Sequence, residues 1–322
     1  MAALLRNQPM GFYSPQSLVH DARRHGVEVL RPDLSLSGAV ADLEVCGSPG
    51  PTGLDACLHD GVRTDWVAGT PDPTPEHRRD TAYAVRLGLD SVRGIGKAVA
   101  ERIVAARVER PFADQVDLSR RAGLDARQLE ALATAGVFDE TFSVSRRQAL
   151  WNAGWTEGEE HLEGIRVTAT APMLPDMDVV ETTMADLWAT GITPEIHPVG
   201  LLRDQLRAAG IRSVADTATA EAGRRVHVAG LVTHRQRPGT AGGVTFLNLE
   251  DETGMLNVIC TVGVWRRYRS VAANSAGMVI RGMLERQDGV TNLVADRLAP
   301  IEDVHPEAGR ALRARHRSRD FQ

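Results

Sequence analysis

The stretch VRGIGKAVAERIVAAR, from Val92 to Arg107, decides how the middle of this chain folds. Two glycines, Gly94 and Gly96, flank the apolar Ile95, and Lys97 then opens a run with aliphatic residues at helical spacing. Glycine permits turn geometries that a Cβ would forbid, and the free N–H groups at a helix N-terminus favour an anion. The stretch therefore predicts a helix-hairpin-helix whose turn, formed by these four residues, holds a phosphate.

A DNA backbone is the ligand that such a turn suits, because amides that hold a phosphate read no bases. A glycine-rich turn that packs two helices and binds nothing is the alternative. A dinucleotide fingerprint is excluded, since Val99 occupies the position of its third glycine. Base-excision glycosylases also combine a hairpin lysine with an aspartate, here Asp114 or Asp117, but the β-rich sequence downstream argues against their helical base-flipping pocket.

A second element follows in LDARQLEALATAGVFDE, residues 124–140. Its pattern predicts another helix–turn–helix, with Leu129, Leu132 and Ala133 facing inward and Gly136 ending the helix. Two hairpins in tandem would hold both strands of one duplex. A plain helical pair that supports the first hairpin is the alternative that the sequence leaves open.

From Arg225 onward the pattern changes to short apolar alternations separated by glycine turns. Five strands, with a helix-like insertion GVWRRYRSVAA after the third, predict an OB-fold. The strands are predicted in RVHVAGLVTHRQ, GVTFLNLE, MLNVICTV, GMVIRGML and VTNLVADRL. The fold class predicted for the chain is therefore α+β and multi-domain, with a helical helix-hairpin-helix domain and a C-terminal OB-fold β-barrel.

OB-folds bind single strands by stacking bases on aromatic side chains in a basic groove. The residues predicted for this role are Phe246 on the second strand, His234, Arg235 and Arg237 in the first loop, and Arg281 and Arg286. A core position for Phe246 and a protein-binding role for the domain are the alternatives.

Composition limits the classes of function. The chain has 322 residues, 43% of them hydrophobic, a net charge of −5 and three cysteines without metal-type spacing. This indicates a reduced, cytoplasmic protein without a membrane segment, in which any DNA contact comes from local patches. One such patch is an arginine-rich tail that contains Arg310, Arg313, Arg315, Arg317 and Arg319. We expect it to be exposed and to bind DNA or an acidic partner, and a solvated helix end is the alternative.

Stretches along nearly the whole chain resemble, in the same order, bacterial C-family DNA polymerases, most closely their error-prone, translesion branch (polymerase III alpha-subunit-like). They include NQPMGFYSPQSLVHDARRHGVEVLRPDLS, the tandem hairpins, ADLWATGITPEIHPVGLLRDQL, the strand-rich region and the closing RSRDF. The resemblance implies the C-terminal part of such a polymerase. It divides the chain into the end of the fingers region (1–80), tandem hairpins (81–152), a linker and helical connector (153–222), the OB-fold (223–303) and the arginine-rich tail (304–322).

The resemblance implies translesion synthesis after DNA damage in the bacterial cytoplasm, on double-stranded and single-stranded DNA, with polymerase accessory proteins as partners. It also implies that the palm carboxylates, which hold Mg²⁺ in these enzymes, lie outside this chain, so no catalytic residue, metal or cofactor is expected in it. The acidic LPDMDVVE, with Asp176, Asp178 and Glu181, is predicted to be a solvated linker. We therefore expect the chain alone not to extend a primer. A stand-alone, non-enzymatic DNA-binding or scaffold protein is the alternative.

Overall fold

The structure, a computed structural model, describes residues 1–11, 13–24, 27–46, 83–154, 171–287, 290–304 and 319–321. The chain divides into two compact units. The hairpin unit comprises Met1–Gln8 with Ala22–Pro194, and the barrel unit comprises Pro9–Asp21 with Glu195–Gln322. The domain boundaries given above remain predictions.

The hairpin unit joins a small sheet to a group of short helices. Its elements are α1 (Ala2–Arg6), β1 (Val29–Leu30), β2 (Asp42–Val45), β3 (Tyr83–Arg86), α3 (Lys97–Glu109), α4 (Gln115–Ala122), α5 (Ala126–Thr134), α6 (Asp139–Phe142), α7 (Arg146–Ala153) and α8 (Val179–Ala189), while α2 (Pro15–Arg24) runs across the division. Strand β3 lies in the middle of the sheet, parallel to β1 and antiparallel to β2.

Caps and breakers set the helix boundaries in the hairpin unit. Helix α3 ends at Arg110, which has extended geometry because proline follows it. The Asp114 side chain accepts the Asp117 N–H at 2.8 Å and so starts α4, which ends at Gly123 with φ +62°. Asp125 then begins α5 through a capping box with Gln128.

One apolar core joins these helices. It contains Ile95 below the first turn, Ile103 on α3, Leu118 on α4 and Leu132 on α5, all nearly or fully buried. Burying an aliphatic side chain of this size contributes about 1.5–3 kcal/mol. The turn and three helices are therefore held as one packed body.

The barrel unit contains α9 (Arg203–Ala208), α10 (Val214–Thr219), β4 (Arg225–Gln236), β5 (Thr245–Asp251), β6 (Gly254–Cys260), α11 (Val262–Arg267), α12 (Arg269–Asn274), β7 (Gly277–Gln287), β8 (Val290–Pro300) and β9 (Arg319–Phe321). The first strand of the barrel, β4, is antiparallel to both β5 and β7, and β6 is parallel to β8. These pairings close a five-stranded barrel in the order β4–β5–β6–β8–β7.

The barrel closes tightly around apolar side chains such as Val228, Leu247, Ile280 and Leu293. Gly230 shows how tightly, because a Cβ there would stand 2.7 Å from the Glu250 carbonyl oxygen. Helices α11 and α12 occupy the connection between the third and fourth barrel strands, as the sequence predicts. The predicted α+β class, with helical hairpins and a closed five-stranded barrel, is thus confirmed.

Candidate functional site

The first hairpin has the geometry that its glycines predict at one position and not at the other. Gly94 is exposed and has φ +77°, a conformation that costs other residues roughly 1–2 kcal/mol. Gly96 has φ −71° and ψ 165°, which any residue adopts. A Cβ on Gly96 would meet no atom within 4 Å. The expectation that a Cβ there would obstruct the turn is therefore wrong, and the fold leaves the use of glycine at this position unexplained.

The hairpin presents backbone donors at the start of α3. The N–H groups of Val99 and Ala100 donate to the Gly96 carbonyl at 2.9 and 3.0 Å. Throughout the described ranges no protein group accepts a hydrogen bond from the N–H groups of four exposed residues: Gly94, Gly96, Lys97 and Ala98. A row of unused amides at a helix N-terminus can bind an anion.

Ile95 has a different role from the other hairpin residues. Its side chain is 1% exposed, and its N–H donates to the Val92 carbonyl at 2.9 Å. Its amide therefore stabilises the turn, which corrects the expectation that it also serves a phosphate. Its side chain packs beneath the hairpin, in the apolar core.

Positive charge surrounds these donors. The side chain of Lys97 is 70% exposed, and its Nζ lies 4.0 Å from Glu101 Oε1, a loose pair one helical turn away. The Arg93 guanidinium lies 4.8 Å from the centroid of the Trp188 ring. Burial raises the pKa of Asp90, an effect that the charge of Lys97 opposes. Lys97 is thus free to approach an anion at little cost, since an exposed ion pair is worth about 1 kcal/mol or less.

A second hairpin of the same form exists, and sequence reasoning placed its turn at the wrong glycine. Residues Gly123, Leu124 and Asp125 repeat the form of the first turn: a glycine with positive φ, a buried aliphatic residue and an extended N-cap. The helices that follow also match, with Leu129 equivalent to Ala100 and Leu132 equivalent to Ile103, all 0% exposed. Each buried residue of the second hairpin follows its equivalent in the first at the same distance along the sequence, and each turn has one glycine with positive φ. This constant spacing is the signal that could have identified the second hairpin from the sequence.

The two hairpins are in contact. Arg102 of α3 donates to the carbonyl oxygens of Ala122 and Gly123 at 3.0 and 3.2 Å. In return, Gln128 of α5 donates to the Gly94 carbonyl at 3.5 Å. They differ at the third turn position, because the Asp125 carboxylate accepts the Gln128 N–H at 2.8 Å. The amides differ too: the Gly123 N–H donates to the Ser119 carbonyl and the Asp125 N–H to Gln128 Oε1 at 3.1 Å, whereas the equivalent amides of Gly94 and Gly96 donate to no protein group in the described ranges. The Asp125 carboxylate also places a negative charge at the start of α5, so the first hairpin is the better site for an anion.

The predicted turn at Gly136 faces the protein instead. Gly136 has φ +74°, and a Cβ there would stand 2.6 Å from Nε of the buried Arg146. Arg146 also pairs with Asp186 at 2.8 Å and donates to the Thr134 carbonyl at 3.3 Å. Helix α5, this turn and α6 therefore form the supporting pair that the sequence left as an alternative.

The acidic residues singled out in the sequence have structural roles. Asp178 accepts the Glu181 N–H at 2.8 Å and so caps α8, and Glu181 pairs with Arg147 at 2.6 Å. The hydrogen bond from the Asp178 N–H, followed by that from Arg147, lowers the pKa of Glu181. All three residues are exposed, as predicted, but Asp178 and Glu181 belong to the start of α8, and of the three only Asp176 lies in a linker. The two aspartates considered for a glycosylase also have structural partners, since Asp114 caps α4 and Asp117 pairs with Arg110 and Arg121.

The predicted barrel residues do not form one groove. His234 and Arg235 belong to β4 rather than to the following loop and are buried, and Arg235 donates to the carbonyls of Ala272 and Ser275. After a bulge between Val232 and His234, the strand continues for three more residues, through Gln236, before the loop begins, which explains the error. These two residues therefore support the barrel.

The other four predicted barrel residues differ in availability. Arg237 is exposed just after β4, and Phe246 is 36% exposed on β5. Arg281 Nε pairs with Asp296 at 2.6 Å. Arg286 donates to the last carbonyls of α10, including those of Thr217 and Ala220 at 2.8 Å.

The arginine-rich tail is described at one position only. Arg310, Arg313, Arg315 and Arg317 lie outside the described residues, and Arg319 begins β9, which pairs with β4 in parallel. Among the residues that the structure describes, no group of three or more histidine, cysteine or acidic side chains could hold a metal ion. In the same residues, no helix has the length and apolar character required to cross a bilayer.

Comparison with known proteins supports the hairpin assignment. The family model described as "Helix-hairpin-helix motif" matches residues 26–149, which include both hairpins. Two curated proteins named error-prone DNA polymerase align with almost the whole chain. The protein from Cutibacterium acnes is 49% identical over 97% of the chain, and that from Mycolicibacterium paratuberculosis is 45% identical over 99%.

The chain is homologous to part of these error-prone DNA polymerases. It spans 28% and 25% of the length of the two polymerases, respectively. Among solved structures, asparaginyl-tRNA synthetase from Pyrococcus horikoshii matches 27% of the chain and 22% of its own length, with 18% identity and a TM-score of 0.24.

Proposed function

We propose that this chain is a DNA-gripping portion of an error-prone DNA polymerase and holds duplex DNA through its first hairpin. The observation that carries the proposal is the set of unused backbone donors at Gly94, Gly96, Lys97 and Ala98. Backbone amides at a helix N-terminus are well suited to a phosphate oxygen. They carry no information about bases, so the grip is independent of sequence.

Lys97 adds the charge that makes such a grip sensitive to salt. Its exposed ammonium group is the one positive charge on the first turn of α3. A lysine that neutralises one phosphate releases condensed counterions, and this release weakens binding as salt rises. The hairpin therefore supplies both a directional contact and a point charge.

The second hairpin supports the first in this proposal. Arg102 and Gln128 fix the two turns against each other. The negative charge of the Asp125 carboxylate and the hydrogen bond from its N–H to Gln128 disfavour a phosphate at the second turn. The grip is thus asymmetric, with one phosphate-binding turn and one bracing turn. This differs from a symmetric clamp on both strands.

On the barrel unit, we propose that single-stranded template contacts the exposed face of β5. Phe246 is partly exposed and pairs in the ladder with Gln236, next to the exposed Arg237. An aromatic ring beside an arginine provides base stacking together with backbone charge. His234 and Arg235 are excluded from this surface by their burial.

The proposal assigns no catalytic step to this chain. It places the chain in translesion synthesis after DNA damage in the bacterial cytoplasm, with polymerase accessory proteins as partners. Mg²⁺ and polymerisation are assigned to the palm region of the polymerase.

The salt dependence of duplex binding tests the grip. Lys97→Ala should lower the slope of log affinity against log salt by about one unit and weaken all duplex sequences alike. Arg207→Ala is the matched control, because Arg207 is about as exposed, pairs within the described part of the chain only with Asp204 one turn away, and lies on the barrel unit. Equal slopes for Lys97→Ala and the unaltered protein, with equal thermal stability, would remove Lys97 from the interface.

A further inference from the structure

An open cavity of about 510 Å³ lies on the barrel unit between α11–α12 and strands β7–β8. Its lining includes Arg267 and Tyr268 from the helices, Arg281 from β7, and Asp296 and Arg297 from β8. Neither the hairpin nor the exposed face of β5 contributes to it. Three arginines lining one small cavity indicate an anionic ligand, and the volume is within the range of small-molecule sites.

Two of these arginines lie directly opposite each other on neighbouring strands. Arg281 and Arg297 are direct partners in the ladder between β7 and β8. Like charges directly opposite on neighbouring strands are destabilising. A bound anion between them would convert this repulsion into two attractive contacts.

A bulge in β8 brings a carboxylate to one arginine only. The register shifts after Arg281, so that Arg281 faces Arg297 while Gly282 faces Ala295 and Asp296 is left without a partner in the ladder. Asp296 then binds Nε of Arg281 at 2.6 Å and Nε of Arg225 at 2.7 Å. Bulges often re-aim side chains at functional sites. Asp296 therefore orients Arg281 through Nε and leaves its two terminal nitrogens without a hydrogen bond to any residue in the described ranges.

Arg267 and Arg297 are both exposed and have no ion-pair partner among the residues that the structure describes. The Arg267 guanidinium lies 5.4 Å from the ring centroid of the partly buried Tyr268. A flat cation next to an aromatic ring is a surface on which a base can stack. The remaining carboxylate of the lining, Asp303, is exposed at the end of the barrel.

We propose that this cavity binds the phosphate of a nucleotide, either free or as one unit of a single strand. Arg281 and Arg297 would bind the phosphate oxygens, because planar guanidinium groups match that geometry. Arg267 and Tyr268 would lie against the base. The site is distinct from the duplex grip of the hairpin and does not rest on it.

Direct binding to the full chain tests the proposal, with thymidine monophosphate, the oligonucleotide dT8 and an eight-residue glutamate peptide as probes. Arg297→Ala and Arg267→Ala should each weaken binding of thymidine monophosphate by about tenfold or more, as expected for loss of a charged hydrogen bond or stacking partner. Arg266→Ala is the matched control, since Arg266 is the exposed neighbour of Arg267 and does not line the cavity. It should change binding less than twofold.

The probes also identify the source of the phosphate. Binding of thymidine monophosphate without dT8 indicates a free nucleotide, and binding of both indicates a strand. If Arg297→Ala also weakens the binding of dT8, the cavity is a site for the strand. The proposal is overturned if neither nucleotide probe binds, if the glutamate peptide binds as well as they do, or if Arg266→Ala equals Arg267→Ala.

Two controls separate this result from a failure to fold and from the duplex grip. Arg297→Ala removes an exposed charge opposite another arginine, so the melting temperature should not fall. Duplex binding through Lys97 should be the same in Arg297→Ala as in the unaltered chain. If neither the unaltered chain nor any variant binds duplex DNA while the unaltered chain still binds nucleotide, the hairpin proposal is contradicted and the cavity proposal is not.

Discussion

The glycines of the two hairpins and of the turn that follows them differ in the structural reason for glycine. Gly94 and Gly123 have positive φ, and this alone explains them. Gly136 has positive φ and also leaves room for Arg146. Gly96 has neither property, and no described protein atom explains its lack of a side chain. This is why the phosphate proposal depends on Gly96 more than on Gly94.

Asp178 is a residue whose role the sequence alone did not reveal. Near Asp176 and Glu181 it looked like part of a solvated acidic linker, because the stretch LPDMDVVE does not show that a helix starts within it, at Val179. Its side chain accepts the Glu181 N–H and thereby satisfies a donor that the helix cannot satisfy itself.

Asp178→Ala should therefore lower the free energy of unfolding by about 0.5–2 kcal/mol. Asp176→Ala, the neighbouring exposed carboxylate outside the helix, should change it by less than about 0.5 kcal/mol. Chemical denaturation of the two variants checks this. Equal stabilities would show that the cap does not hold α8.

At the scale of elements, the tandem hairpins show how far the sequence could be read. The G-x-G signal found the first turn, and helical periodicity found α3 and α5. The second turn escaped because Asp125 replaces its second glycine, and an aspartate before a helix is equally typical of an ordinary N-cap. The burial of Leu124, Leu129 and Leu132 reveals the repeat only when set against Ile95, Ala100 and Ile103.

In the barrel, the sequence predicted the strands but not the direction of the side chains near a bulge. Its strands were predictable because apolar residues alternate and glycines separate them, and β4 extends over the same residues as the predicted stretch RVHVAGLVTHRQ. Side-chain direction near a bulge was not predictable. His234 and Arg235 were therefore expected in a loop, although packing against the carbonyls of α12 and the residues after it buries Arg235.

The Asp125 carboxylate distinguishes the two turns, and its replacement tests the asymmetric grip. Asp125→Gly should recreate the first hairpin in the second and raise the affinity for duplex DNA several-fold, while glycine at an N-cap costs only a few tenths of a kcal/mol. Asp125→Asn keeps a capping side chain and removes only the charge, so it should raise affinity less. Duplex titrations at one salt concentration compare the two. Equal gains would mean that charge alone matters and that the second turn does not gain a phosphate contact.

For the molecule as a whole, homology and structure answer different questions. The relatives show that almost the entire chain corresponds to about a quarter of an error-prone DNA polymerase. The structure divides that segment into a hairpin unit and a barrel unit, each with its own apolar core. We propose that the first grips duplex DNA at one turn, and that the second binds a single strand or nucleotide on its outer surfaces.

The affinity of Gly96→Ala for duplex DNA measures whether a phosphate approaches the Gly96 amide, which is the contact on which the duplex grip depends. The added methyl group meets nothing within 4 Å and changes neither charge nor allowed φ, so the melting temperature and the salt slope should stay unchanged. Affinity should fall by about tenfold, the effect of losing a hydrogen bond to a charged group. Gly263→Ala, an equally open position on α11, is the matched control and should leave affinity unaltered. A folded Gly96→Ala protein that binds duplex DNA as tightly as the unaltered chain would contradict the central claim.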